Sequence, residues 1–463
     1  MSDASLSPEL QQEIDSIYEV AQRAAQEFSH FRLEQVQAIV DRVAAAAGDK
    51  AEYYADWAVR ETGYGDVQAK VAKNLATSVD LLKTYNIADY IEPSIDAEKK
   101  MFRIPKPAGV VLAPMPCTNP IMTVNFKVLA NLIARNAVIL CPHPAAKECS
   151  VHAAEFLAEV AECMGAPKGC VQIIREPNIE LVNVLMRDPR TSLIMATGGA
   201  ALVHAAYSSG NPAVGVGAAN VPCYVHESAD IEQAGAKAVI GNSFDNSLPC
   251  TSESVVLADR KISDQLKQAI IAGGGLFVDG EDAQKLRDFL FPNGVGNPAA
   301  LGKSPQWMGD AAGVAIAEGV KSIVFEIDRI SHDEPVSKEK MFPVMGFMTV
   351  DGGIEGGVKT ALDMLDLMGK GHSAVIHAND ADVVARYTSA LPVCRIAVNS
   401  PGMTGNAGLT TALAETGMVG TGFFGGSSSD ENIGPQHLIQ HTYVAYDSDP
   451  SIQMGGIESA LAS

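Results

Sequence analysis

From about residue 108 onward the chain alternates short apolar runs with amphipathic stretches, and this alternation constrains the fold more than any other feature. GVVLAP (109–114), NAVILCP (136–142), VQII (171–174) and SLIMATG (192–198) read as strands. Between and after them, 121–134, 150–164, 178–187 and 200–209 carry apolar residues at helical spacing. Strand–helix alternation at this spacing predicts a parallel sheet with right-handed crossovers. The strands are apolar on both faces, as strands covered by helices on both sides are. A second series runs over roughly 228–425, with strands at SVVLAD (254–259), KSIVFEI (321–327), FPVMGFMTV (342–350), SAVIHA (373–378) and RIAVN (395–399). Helices at about 260–273, 281–290, 355–368 and 380–391 separate them. The fold class is therefore α/β, in two units. Ahead of them the spacing predicts a helix over 8–28, from Ile14, Ile17, Tyr18, Ala21, Ala25 and Phe28. Ser7 suits its N-cap and Pro8 its first position. A second helix is expected over 32–47.

The length of 463 residues exceeds one ordinary core and suggests two to four domains. With 47% hydrophobic and 19% charged residues, the chain can bury a sizeable core. Thirty-four basic against 55 acidic residues give a formal charge of −21, which argues against nucleic acid or an anionic membrane as main partner. It leaves room for anionic cofactors, because a local pocket can be positive on an acidic protein. No uninterrupted run of about 18 apolar residues suggests a membrane span. The start, MSDASLSPELQQEID, is polar and acidic, unlike a signal peptide. Eight cysteines without a CxxC pair read as reduced thiols, so a cytoplasmic location is expected. No Cys/His cluster has zinc spacing, so no metal is expected. GxGxxG, Walker A, HExxH and GxSxG are absent.

Four segments remain as candidates for chemistry. Cys250 sits in NSFDNSLPCTSESVV, a polar stretch before an apolar strand, where a thiol is more accessible than inside an apolar run. It reads either as a nucleophile or as an inert small hydrophobe. MATGG (195–199) ends a strand and opens a helix, a place where glycines and free N–H groups suit a phosphate, or merely a turn. GVGAAN (215–220), with Gly217 within it, lets a ligand or another chain segment pack close. PCTNP (116–120) brackets Asn119 between prolines at the end of a strand, where open α/β sheets bind ligands. A fixed amide there suits an oxyanion, or a proline-shaped turn.

Taken in order, TNP (118–120), NAVILCPHPAAK (136–147), MATGGAALVHAAYSSGNPAVGVGAAN (195–220), NSFDNSLPCTSES (242–254) and GGSSSDENIGPQHLI (425–439) resemble the aldehyde dehydrogenase superfamily. More narrowly, they resemble its CoA-acylating branch, over about 100–445. The resemblance implies an aldehyde dehydrogenase-like fold, with a Rossmann-type nucleotide-binding domain (1–227, completed by about 426–440) and an α/β catalytic domain (228–425). It implies that 440–463, with TYVAY as a possible strand, serves oligomerisation into a homodimer or homotetramer. Cys250 falls at the catalytic cysteine and Asn119 at the oxyanion-binding asparagine. Thr197, Gly198 and Gly199 fall at the turn that contacts the dinucleotide, with Gly217 nearby in the cofactor set. Glu339, in EKMFP, matches the glutamate expected to hold the nicotinamide ribose. Hydrolytic members carry a glutamate general base where this chain has Gly215. Its absence favours acyl transfer to a thiol over hydrolysis, since a thiol needs less activation than water.

The implied reaction oxidises a short-chain aldehyde with NAD(P) and coenzyme A to an acyl-CoA, reversibly, through a thioester on Cys250. Acetaldehyde, sulfoacetaldehyde and succinate semialdehyde are the candidate aldehydes, with Arg395 or another cation a conceivable partner for an anionic tail. His372, in GKGHSA, matches a histidine near the site in acylating members, and reads either as an aid to proton transfer or as a buried structural histidine. After the second strand, Pro144 stands where NAD-preferring relatives often have glutamate. His143 and Lys147 are close enough to meet a 2′-phosphate, so NADP is slightly favoured over NAD. The alternatives are a hydrolytic dehydrogenase and a non-catalytic nucleotide-binding homologue.

Overall fold

The computed structural model describes residues 7–457 together with Leu461. The first six residues and the end of the expected oligomerisation tail lie outside the described residues. The opening helix forms over Pro8–Phe28, with the Ser7 hydroxyl accepting from the Leu10 N–H at 3.2 Å. Ile14, Tyr18, Ala21 and Phe28 are buried along one face. The second helix spans Leu33–Asp49. Two further helices, Ala51–Thr62 and Val67–Ala76, have no counterpart in the sequence reading.

The first α/β unit is a five-stranded sheet ordered Val171–Ile173, Ala137–Cys141, Val110–Pro114, Leu193–Ala196, Ala213–Gly215. All neighbouring pairs are parallel. The chain lays down the central strand first, moves outward to one side, then returns to the other. The switch point therefore lies between Val110–Pro114 and Leu193–Ala196, where open sheets form a crevice at their C-terminal ends.

The second unit is a seven-stranded parallel sheet ordered Gly275–Val278, Ser322–Glu326, Val344–Val350, Glu253–Asp259, Val221–Val225, Gly371–His377, Val393–Val398. Alternate residues of its central strand enter opposite cores. Val255 and Leu257 join one and Val256 and Ala258 the other, as the period-two pleat requires. The strand Val221–Val225 thus belongs to this sheet. After the last strand the chain returns to the first unit, where Met418, Val419, Ile433, Leu438 and Ile439 are buried in its core.

Ser94–Asp96, Met101–Pro107 and Ile439–Ala445 form a small antiparallel sheet, with Ile439–Ala445 along one edge. TYVAY therefore does enter a strand. The glycine-rich stretch 420–435 is an ordered strap. Gly420 and Gly422 donate to the carbonyls of Glu431 and Ser429, and Arg395 grips the carbonyls of Gly420 and Asp430.

Candidate active site

The C-terminal edge of the five-stranded sheet and the N-terminal edge of the seven-stranded sheet supply the candidate residues. From the first come Asn119, after Val110–Pro114, and Thr197, Gly198 and Gly199, after Leu193–Ala196. From the second come Cys250, before Glu253–Asp259, and Glu339, before Val344–Val350. Cys250 nevertheless packs against the core of the first unit.

Cys250 and Glu339 line one cavity, with Asn220, Pro249, Glu253 and Lys340. Cys250 keeps part of its surface open. Its thiol is pushed up to about 12, first by burial and then by the Glu339 carboxylate, while Arg395 works in the opposite sense. Burial raises Glu339 to about 7 and Glu253 to about 8, and lowers Lys340 to about 7. This rim is therefore rich in ionisable groups that hold their neutral forms more readily than in water.

The turn entering Cys250 is unusual. Asp245, Asn246 and Ser247 all have positive φ (49°, 52° and 61°). Asp and Asn tolerate this region better than most residues, whereas Ser does so at a cost. The turn is tied down from outside: Asn246 donates to the Gly302 carbonyl at 2.9 Å, and the buried Asp245 accepts from the Asp66 N–H at 2.7 Å.

Asn119 stands at the N-cap of the helix Pro120–Ile133, yet its side chain makes no capping bond. Its Oδ1 instead accepts from Lys73 Nζ, and its Nδ2 donates to the Thr118 hydroxyl at 3.2 Å. Lys73 also bonds Asp245, which Lys70 approaches at 3.1 Å. Neither lysine was marked by the sequence, which reads a lone lysine as solvent-facing. Asp66, the N-cap of their helix, was the one local sign that this segment is helical. Lys127 was missed as well. It is fully buried at the switch point, donating to the carbonyls of Pro114 (2.6 Å) and Met195 (2.7 Å), and burial pulls its pKa well down.

The turn at 197–199 fits a dinucleotide. The Thr197 hydroxyl is buried without a partner. No side chain caps the helix Ala200–Tyr207, and a Cβ at Gly199 would meet nothing within 4 Å, which leaves the space open for a phosphate. A Cβ at Gly198 would reach Leu202 at 2.4 Å, so that glycine serves close packing. Gly217 abuts the strap: a Cβ there would lie 3.0 Å from the Thr421 hydroxyl. Gly215 ends a buried strand and its N–H donates to the Tyr207 hydroxyl at 2.9 Å. His143 is exposed and its Nδ1 accepts from Ala145 N–H. Lys147 pairs with Glu176 at 2.7 Å. The two N–H groups that follow, of Glu148 and Cys149, are taken by the Glu61 carboxylate.

His372 is fully buried, with Nδ1 2.9 Å from the Ser373 hydroxyl and Nε2 without a partner. Burial and Arg395 lower its pKa to about 3, so it is neutral near pH 7. The buried Arg395 guanidinium is engaged by the carbonyls of His372, Gly420 and Asp430, which accounts for it as a structural clamp. Among the described residues, no group of three or more His, Cys, Asp or Glu is placed to hold a metal, and no helix is long and apolar enough to cross a membrane.

Comparison with known proteins agrees with this geometry. Residues 4–273 match the model of the aldehyde dehydrogenase family. The chain is 34% identical over 441 residues to the bifunctional aldehyde-alcohol dehydrogenase AdhE of Escherichia coli strain K12, covering 94% of this chain and 49% of that one. It thus spans about half the length of the bifunctional relatives it matches. It is 33% identical over 437 residues to a succinate-semialdehyde dehydrogenase (acetylating) of Clostridium kluyveri, covering 94% and 95% of the two chains. The crystal structure of an acetylating aldehyde dehydrogenase from Geobacillus thermoglucosidasius superposes with a TM-score of 0.93 at 35% identity, covering 97% of this chain and 99% of that one. The sheet order and these matches lead to one conclusion: the chain belongs to the aldehyde dehydrogenase family.

Proposed function

We propose that the chain is a CoA-acylating aldehyde dehydrogenase that converts a short-chain aldehyde to its acyl-CoA, reversibly, through a thioester on Cys250. The observation that carries this reading is Gly215. It lies in a buried strand, bonded to the Tyr207 hydroxyl, and offers no carboxylate to activate water. An acyl group on Cys250 then persists until a better nucleophile arrives, and a thiol is one. The names of the Clostridium kluyveri and Geobacillus relatives, both acetylating, support it.

In this reading Cys250 attacks the carbonyl carbon, and its thiol proton leaves through the cavity it shares with Glu339 and Glu253. The Asn119 Nδ2 and the Cys250 N–H meet the developing oxyanion. One such donor contributes about 10²–10³ in rate. A nicotinamide dinucleotide, when bound, supplies the hydride acceptor. Thr197, Gly199 and the N-terminus of Ala200–Tyr207 would hold its phosphates, and Glu339 its ribose. Both NAD and NADP are accommodated, with NADP slightly favoured. The Lys147–Glu176 pair is exposed on the glutamate side, and such pairs contribute only about 0–1 kcal/mol, so Lys147 exchanges readily onto a 2′-phosphate. Lys147→Ala should then raise KM for NADP and leave KM for NAD unchanged. His372, neutral and buried, is assigned a place near the thiol exchange with CoA. The nucleotide-binding domain runs to about residue 220 rather than the expected 227, because Val221–Val225 pairs within the seven-stranded sheet, and it is completed by 426–440; the catalytic domain spans the residues between. The exposed outer strand Ile439–Ala445 is the edge through which a homodimer or homotetramer assembles.

A hydrolytic reading draws on one observation, the Glu339 carboxyl in the Cys250 cavity. Cofactor reduction followed by absorbance, with and without CoA, separates the two. Acetaldehyde, sulfoacetaldehyde and succinate semialdehyde are tested with NAD and with NADP. Turnover that requires CoA supports acyl transfer, and equal turnover without CoA overturns it.

A further inference from the structure

An asparagine at a helix N-cap ordinarily turns its side-chain oxygen back onto the N–H groups of the first turn. Asn119 does not. Its Oδ1 is taken by Lys73, which arrives from the separate helix Val67–Ala76. A lysine ammonium only donates, so it can bond Oδ1 but not Nδ2. Lys73 thereby selects one of the two amide orientations and turns Nδ2 away from itself. One Nδ2 proton goes to the Thr118 hydroxyl, and the other has no acceptor among the described residues. A cation on Oδ1 also draws electron density from the amide and strengthens the N–H groups as donors.

The lysine is itself held. Lys73 and Lys70 lie three apart on one helix face and converge on the Asp245 carboxylate, with side-chain exposures of 8%, 4% and 0%. Lys70 also donates to the Thr118 carbonyl at 3.0 Å, immediately before Asn119. Asp245 Oδ1 accepts from the Asp66 N–H at the start of that helix. Gly65 makes the close approach possible: its φ is +82°, and a Cβ there would lie within 2.1 Å of Asp245 Oδ1. Asp245 also opens the left-handed turn that leads to Cys250. One buried carboxylate therefore joins Asn119, through Lys73, to the segment bearing Cys250. Buried charges are costly unless fully paired, so three of them here call for a purpose.

We propose that Lys73 is a positioning residue for Asn119: pinned by Asp245, its ammonium fixes and polarises the carboxamide whose Nδ2 meets the oxyanion. The inference rests on the Cys250 thioester reading above.

The test is a double-mutant cycle on the first-turnover burst of reduced cofactor, in the full-length enzyme. The aldehyde is whichever of acetaldehyde, sulfoacetaldehyde and succinate semialdehyde turns over fastest. Lys73→Met should slow the burst about 10–100-fold and Asn119→Ala about 10²–10³-fold, while the double variant falls within about 3-fold of Asn119→Ala alone. Alkylation of Cys250 by iodoacetamide develops no carbonyl oxyanion, so Lys73→Met should change its rate by less than about 2-fold. Additive losses in the cycle, or alkylation falling in step with the burst, would overturn the proposal, because Lys73 would then act on the Cys250 turn or on folding alone. Should Lys73→Met fail to fold, Lys73→Gln, which keeps an N–H donor without the charge and leaves Asp245 paired with Lys70, is read in the same cycle with a smaller loss of about 3–10-fold. If Asn119→Ala leaves the burst intact while Cys250→Ala abolishes it, the oxyanion role of Asn119 fails and this inference with it. If no aldehyde gives a burst, the thioester reading itself fails. A large Asn119 effect with additive Lys73 loss overturns only the inference.

Discussion

The two parallel sheets supply the candidate residues from opposite edges, and they bring different chemistry. The five-stranded sheet presents its C-terminal edge, furnished with backbone N–H groups, small residues, the orphan Thr197 hydroxyl and one neutral amide, Asn119. The seven-stranded sheet presents its N-terminal edge, furnished with Cys250, Glu253, Glu339 and Lys340, all shifted toward their neutral forms by burial. In the proposed reaction, one edge binds without titrating, and the other moves protons and forms the covalent bond. Asn119 crosses this division. It stands on the binding edge but is anchored, through Lys73 and Asp245, to the turn before Cys250 on the reacting edge.

Substitutions on the two edges should therefore fail differently. Cys250→Ala should lower turnover by on the order of 10⁴-fold or more, with dinucleotide binding, followed by fluorescence titration, unchanged. A comparable loss of dinucleotide affinity would mean that the edges are not separable. Asn119→Ala should cost about 10²–10³-fold in the acylation step and leave iodoacetamide alkylation of Cys250 near its wild-type rate. Glu339→Gln should act in the opposite direction on the thiol. The Glu339 carboxylate raises the Cys250 pKa, so removing its charge lowers that pKa and speeds alkylation at pH 8 roughly 3–10-fold. Unchanged alkylation would detach Glu339 from the thiol. Thr197→Val, on the binding edge, should weaken dinucleotide binding only about 2–10-fold and leave alkylation untouched.

Glu253 gives the reacting edge a signature in stability. Folding raises its pKa from 4.5 to about 8, so between those values the folded chain holds a proton that the unfolded chain has released. Stability from this site is therefore greatest below about pH 4.5 and declines as pH rises toward 8. Glu253→Gln should flatten that decline, measured by urea unfolding at pH 5 and pH 8. An identical decline in both proteins would mean that the buried carboxyl does not titrate as its surroundings imply.

The strands with long apolar runs were legible in the sequence, most of them because they are buried on both faces. Five strands were not, and two of these, one in each parallel sheet, show why. Ala213–Gly215 is three small residues with no alternation to read. Val221–Val225 contains Pro222, a residue that usually marks a chain segment as outside a central strand, and the register slips between Val221 and Pro222 to accommodate it. Cys250, Asn119 and the 197–199 turn stood out as candidates by their immediate neighbours, which left a structural reading open for each, and the family resemblance supplied their expected roles. Lys70, Lys73, Lys127 and Asp245 were not, since a buried lysine looks like any other until the fold supplies its carbonyls and carboxylate. The glycine strap at 420–435 was marked by its length, but its clamping by Arg395 depends on residues 25 and 35 positions away.

The central claim is that an acyl group waits on Cys250 for a thiol. The most direct measurement is the mass of the intact protein after incubation with aldehyde and oxidised cofactor but no CoA, repeated after CoA is added. The account predicts one acyl adduct per chain, mapped to the Cys250 peptide, that disappears as acyl-CoA forms. Free acid accumulating with no adduct, or an adduct that CoA leaves in place, would contradict it.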